Sequence, residues 1–250
     1  MILSSNNLKY ISKVRNSVYE KLKVEFLFHS NNLEGSTFSI EALERLLQSD
    51  IVLGNHSFSD IVETRNSLEV FDYITSNCSD ELTKFWIFEA HRILKRGTSD
   101  EEIGCSGRWK LYDNRLSGVD IKTARVHEVD SMMFNLICDW NESDKTLNDI
   151  ATFHYKFERI HPFQDGNGRI GRFIIFKQCI ESGIDLIAID SCLDDEYRSS
   201  LYSAQKTDDV SSLISVFRKC QERLDSKFAD YDEVIKTMKS ASDIFYSTNK

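Results

Sequence analysis

The chain has 250 residues, of which 41% are hydrophobic and 28% charged, so it can bury one core of ordinary size and lacks the bias of a disordered or repetitive protein. A formal net charge of −9 excludes a general nucleic-acid surface, and any anion must be held by a local concentration of positive charge. No run is apolar and long enough to span a membrane, and six scattered cysteines without a CxxC pair fit reduced thiols in a cytoplasmic protein.

Apolar residues four apart (Val14, Val18, Leu22 and Phe26) predict a helix over 13–34, stopped by Gly35. Ser39 reads as the N-cap of a second helix, and 49–60 as a polar loop. Residues 60–76 and 80–95 predict two more amphipathic helices, the latter ending near Gly97. The segment 104–124 breaks the pattern; weak alternation, aromatics and turn material over 114–118 predict a short hairpin or extended flap. Helical spacing resumes over 126–141 and 146–160, where Pro162, the only proline, forbids ordinary continuation. A helix from about Gly168 to Ser182 follows, capped by Gly183. The tail 208–246 reads as one long or two shorter helices, with Leu213, Phe217, Cys220, Leu224, Phe228 and Tyr231 on one side. That stripe fits internal packing better than an oligomer seam, so a homo-oligomer is left open. The expected fold class is mainly α.

The chemistry concentrates in residues 160–172, I-HPFQDGNGRIG-R. Asp165, Gly166, Asn167 and Gly168 lie just ahead of a helix, so backbone N–H groups converge there, and the glycines permit a close approach. Arg169 and Arg172 stand three apart on the first turn, against the helix dipole, at a cost of about 0.3–1 kcal/mol per charge. Loop and arginines together suit a polyanion such as a phosphate chain. Asp165 beside them is a natural Mg²⁺ ligand, and His161 at the entrance a natural general base. Gly166, Gly168 and Gly171 spell GxGxxG, but a helix rather than a strand precedes them, and no P-loop pattern is present. The alternative is a tight helix–loop–helix turn with solvated arginines and a buried histidine.

HPFQDGNGRIGR resembles the HPFx[D/E]GNGRxxR signature of the Fic family, which transfers AMP from ATP onto hydroxyl side chains of proteins. The resemblance implies a Fic/Fido fold, a helical bundle around a central helix–loop–helix with a short β-hairpin flap. It implies that His161 deprotonates the target hydroxyl, that Phe163 anchors the loop, and that Asp165 holds Mg²⁺ between the α- and β-phosphates. Gly166, Asn167 and Gly168 would form the anion hole, with Arg169 at the β-phosphate and Arg172 at the γ-phosphate. Gly166 and Gly168 separate the chain from relatives with an alanine-asparagine-lysine version, which phosphorylate instead. Residues 104–119, with Gly107, Arg108 and Gly118, match the position of the flap that holds a target segment by strand addition, near 107–119. Residues 195–205 resemble the family's tyrosine-bearing helix beside adenine and ribose, which carries over Tyr197 and Gln205. Arg198 stands where a second aromatic is usual, and Gln205 where asparagine is frequent.

Glu34 falls in the last turn of its predicted helix, where the dipole favours cations, and pairing with Arg172 would relieve two unfavourable charges. A solvated glutamate at a frayed end is the alternative. Ser30-x-x-x-Glu34-Gly35 is similar to the inhibitory [S/T]xxxE[G/N] motif of Fic proteins, which implies that Glu34 binds Arg172 in place of the γ-phosphate. The implied organisation is an N-terminal helical region over 1–82 with its inhibitory helix at about 16–35, a catalytic core over 83–218 and a helical extension over 219–250. The implied activity is an autoinhibited protein adenylyltransferase using ATP and Mg²⁺, with self-modification open and neither nucleic acid nor membrane as partner. Two alternatives stay open: removal of AMP by the same site, and a non-catalytic nucleotide-sensing interaction module.

Overall fold

The computed structural model describes residues 3–14, 17–115 and 120–248, and among these every regular element is helical. The N-terminal part holds α1 (Ser5–Ile11), α2 (Val18–Asn32), α3 (Ile40–Ser49) and α4 (Phe58–Ser76). Then come α5 (Lys84–Leu94), α6 (Ser99–Glu102), α7 (Val126–Glu142), α8 (Leu147–Ile160) and α9 (Asn167–Ser182). The chain ends with α10 (Asp194–Thr207), α11 (Ser211–Phe228) and α12 (Asp232–Thr248).

Local chemistry sets most of these limits. Ser17 caps α2 by accepting from the Tyr19 N–H at 3.3 Å, so the helix starts later than the apolar spacing from Val14 suggests. Ser39, Ser57, Thr83 and Thr146 cap α3, α4, α5 and α8 in the same way. Gly183 ends α9 in the left-handed region (φ 65°), as its sequence position predicts. In the tail, Asp208 closes α10 with φ 59°, and α11 and α12 are separate helices. The short α1 and α6 escape prediction because they are too brief to show a period.

α9 is the axis. Every residue from Arg169 to Ile180 is buried, so it is wrapped on all sides. On one side Phe26 of α2 meets Phe71 of α4 at 5.6 Å, and Phe173 and Phe176 of α9 at 5.2 and 5.1 Å. Each such ring contributes about 1.5–3 kcal/mol by burial, so this cluster ties α2 firmly across α9. α8 packs along the opposite side, which leaves the loop between α8 and α9 at one end, beneath the end of α2. α1 pairs with α12, where Tyr10 and Phe245 lie 5.7 Å apart.

The predicted hairpin is not found among the described residues of 104–124, and Gly118 lies outside them. Several of the segment's polar groups serve the α8–α9 loop, besides the bonds of Lys110 and Thr123 to Asn114 within it. Lys110 N–H donates to the Pro162 carbonyl (2.8 Å), Ala124 N–H to that of Ile160 (3.3 Å), and Asn114 Nδ2 to that of Phe163 (2.9 Å).

Candidate active site

His161 ends α8 in the left-handed region, φ 52° and ψ 62°, because Pro162 bars the α conformation before it. A non-glycine residue there costs of order 1–3 kcal/mol, and the surroundings hold it in place. Phe163 is fully buried and stacks on His91, with ring centroids 3.8 Å apart. The Asn167 side chain closes the loop on itself, accepting from Phe163 N–H (2.8 Å) and donating to Phe163 O (3.0 Å). Gly166 turns at φ 81°, where a Cβ would stand 3.2 Å from Leu94 Cδ2 and Lys95 Cε. Both arginines are buried rather than solvated.

Arg169 pairs with Glu63 of α4, and its Nη2 lies 3.5 Å from Asp165 Oδ2. Lys95, wholly buried at the end of α5, contacts Glu63 at 3.0 Å, Asp100 at 2.9 Å, and Asp165. Burial works against the Asp165 charge, but Lys95 and Arg169 together hold its carboxyl below the usual aspartate range. Oxygens of Glu63, Asp100 and Asp165 fall within 4.8 Å of one another, and the Lys95 ammonium is their common partner. Asp165 still keeps 58% of its side chain exposed, so it can offer oxygen to a divalent cation that brings phosphate ligands of its own. Lys95, Glu63 and Asp100 carry no local sequence signal, since a lysine in a last helical turn reads only as a dipole cap.

Arg172 is the other pole. Its Nε donates to Ser30 Oγ (3.0 Å), while Nη2 donates to the Ser30 carbonyl (2.8 Å) and to Glu34 Oε1 (2.7 Å). Glu34 stands two residues past the end of α2, and Gly35 turns the chain at φ 85°. Burial opposes the Glu34 charge, yet Arg172 foremost and Arg169 next hold its carboxyl below the ordinary value of 4.5. A Cβ on Gly168 would come within 2.3 Å of Glu34 Oε1, so the carboxylate lies directly over that glycine.

Glu34, Gly168 and Arg172 share a cavity of about 310 Å³ with His161, Glu158, Tyr197, Arg198 and Gln205. Burial, with help from the Lys110 charge, pushes His161 down to about 4, so at neutral pH it is uncharged and can accept a proton. Tyr197 is buried, and its hydroxyl bonds His154 Nε2 at 2.7 Å. Gln205 is buried too, and its carbonyl accepts from Arg159 Nη1 at 3.2 Å. The structure therefore gathers His161, the 165–172 loop, Ser30, Glu34, Tyr197 and Gln205 at one place. A neutral base, the buried Arg172 and a glycine floor in one cavity can bind a phosphate group and take a proton from a nearby hydroxyl.

Residues 81–179 match the Fic/DOC family. This stretch is a Fic domain. It contains the base, the cradle and both arginines, whereas Ser30 and Glu34 precede it. Protein adenylyltransferase fic-1 of Caenorhabditis elegans is 26% identical over 249 residues, covering 95% of this chain and 46% of that protein. Protein adenylyltransferase Fic of Nematostella vectensis is 25% identical over 207 residues, 80% of this chain and 47% of its own length. The chain thus spans about half the length of the curated relatives it matches. A Fic domain-containing signaling protein of Bacteroides thetaiotaomicron, 26% identical, aligns over 94% of this chain and 96% of its own, with a TM-score of 0.69. A Fic-1 fragment from C. elegans, 22% identical, shares the fold over 92% of this chain and 67% of its own, with a TM-score of 0.71.

Proposed function

We propose that the chain transfers AMP from ATP to a hydroxyl side chain of a protein, and that Glu34 holds it inactive. The observation that carries this reading is the Glu34 carboxylate on Arg172 at 2.7 Å, inside the cavity that His161 and Gly168 line. The triphosphate would occupy the ground between Gly166, Asn167, Gly168 and the two arginines, with its γ-phosphate where Glu34 now lies. Tyr197 and Gln205 would bound the nucleoside. His161, uncharged at neutral pH, takes the proton of the incoming hydroxyl; the oxygen attacks the α-phosphorus, and the bond to pyrophosphate breaks. Mg²⁺, when bound, would be held by the exposed carboxylate of Asp165 and would screen the phosphate charges. The target segment would dock near 107–119, whose described part bonds the loop after His161 through Lys110 and Asn114. The proposed division is an N-terminal inhibitory region over 1–82, the catalytic core over 83–218 and an extension over 219–250. A reducing, cytoplasmic setting is supported by free thiols at Cys78, Cys105, Cys138, Cys179, Cys192 and Cys220.

The test uses ATP labelled at the α- or the γ-phosphate. Glu34→Gly should raise α-label transfer about 10- to 100-fold, a change of about 1.4–2.8 kcal/mol in the barrier, and His161→Ala should abolish it in that background. Transfer of γ-label would make the protein a kinase. An unchanged rate in Glu34→Gly would remove Glu34 as the inhibitor.

A further inference from the structure

His154 and Glu158 on α8 and His161 at its C-terminal cap follow one another four and three residues apart, the first two against Gly171 of α9. Gly171 makes room for His154 and Glu158: a Cβ there would stand 2.4 Å from Glu158 Oε1 and 3.3 Å from His154 Nδ1. His154 Nδ1, Glu158 Oε1 and His161 Nδ1 are all buried, and none has a hydrogen-bond partner in the protein. Glu158 Oε2 lies 4.0 Å from His161 Nδ1. At the far end, His154 Nε2 bonds the Tyr197 hydroxyl that borders the cavity. Buried polar atoms find partners as a rule, so three orphans on neighbouring side chains call for a reason.

We propose that Glu158 is the positioning residue of His161: its Oε2 accepts the imidazole Nδ1–H and thereby leaves the Nε2 lone pair facing the cavity. A small turn of the imidazole closes the gap, as contacts in unliganded sites commonly require. Burial, with the Glu34 charge adding to it, pushes the Glu158 carboxyl up to about 8, so at rest it is mainly a neutral acid. Its carbonyl oxygen can then face His161 while its O–H faces His154 Nδ1. Burial and the Arg172 charge push His154 down to about 3, so it stays neutral and able to accept. In the transfer step the target O–H bond breaks and an Nε2–H bond forms. The resulting imidazolium keeps its Nδ1–H on Glu158. What Nε2 does rests on the adenylyl-transfer reading; which nitrogen carries the proton does not.

The competing acceptor is the Glu158 main-chain carbonyl, which the His161 ring also faces. Replacing the side chain separates the two. Two-bond ¹H–¹⁵N spectra of the full chain should show His161 protonated at Nδ1 in the wild type and in Glu158→Gln, whose amide oxygen still accepts. In Glu158→Leu the Nε2–H tautomer should dominate, with Glu158→Met standing in if that variant does not fold. On the Glu34→Gly background, Glu158→Leu should lower kcat for α-label transfer about 100-fold while KM for ATP stays within about threefold, and Glu158→Gln should retain most of the rate. An unchanged tautomer in a folded Leu or Met variant overturns the proposal and assigns the ring to the main-chain carbonyl. Absence of α-label transfer from every variant would sink the adenylyl-transfer reading alone, since the tautomer is read without substrate.

Discussion

A guanidinium only 3% exposed, as in Arg172, needs matching acceptors, and Ser30 and Glu34 supply them. Lining the same cavity from α8, Glu158 is buried with the opposite outcome. Its carboxyl is raised from 4.5 to about 8, chiefly by loss of water and further by Glu34, against the pull of Arg172. The folded chain therefore keeps a proton on Glu158 that the unfolded chain releases above about 4.5. Stability from this group is complete below that pH and is lost as pH rises through about 8. Glu158→Gln has no proton to lose, so its melting temperature should gain on the wild type steadily between pH 4.5 and 8. Thermal melts across that window decide the point; a constant gap would mean that Glu158 is ionised throughout.

At the scale of elements, the proposed inhibition rests on how α2 is held. The Phe26 cluster fixes its middle on α9, and His29 ties its last turns to the 190–191 loop by accepting from Ser191 N–H at 3.0 Å. Arg198 of α10 donates to the Leu33 carbonyl at 2.6 Å, where the helix dipole leaves negative charge. Arg198 also lines the cavity. Arg198→Ala should loosen the end of α2 without touching Glu34, at a cost of about 1 kcal/mol for a partly solvated, charge-assisted bond. Uninduced α-label transfer should then rise about fivefold, well short of Glu34→Gly, and a rise equal to that of Glu34→Gly would place the whole restraint on Arg198. What the sequence made legible here was whatever is local: the α8–α9 loop, the Ser30–Glu34 spacing and the helices with four-residue apolar periods. Lys95, Glu63 and Asp100 were invisible because three separate elements bring them together. The bonds of Lys110 and Asn114 to the neighbouring loop were illegible as well, because alternation carries no record of which element takes a donor.

Across the whole molecule, an acidic chain of net charge −9 keeps Lys95, Arg169 and Arg172 buried at one end of its central helix. There they meet the carboxylates of Glu34, Glu63, Asp100 and Asp165, so the charge open to a small polyanion is what Glu34 gives up on leaving Arg172. Everything needed for that arrangement surrounds α9, while α12 packs mainly on α1 and keeps Val234 (43%) and Ile244 (66%) well exposed. Protection from solvent should follow the same hierarchy. Amides of α8 and α9 should exchange only through global unfolding, and those of α12 and α1 through a local opening of much lower free energy. Hydrogen-exchange mass spectrometry on the full chain would resolve the two sets, because peptides from 169–180 and 232–248 do not overlap. Equal protection of α12 and α9 would mean that the C-terminal helix is covered in solution, and a second copy of the chain on its apolar side would then be the first occupant to look for by sedimentation.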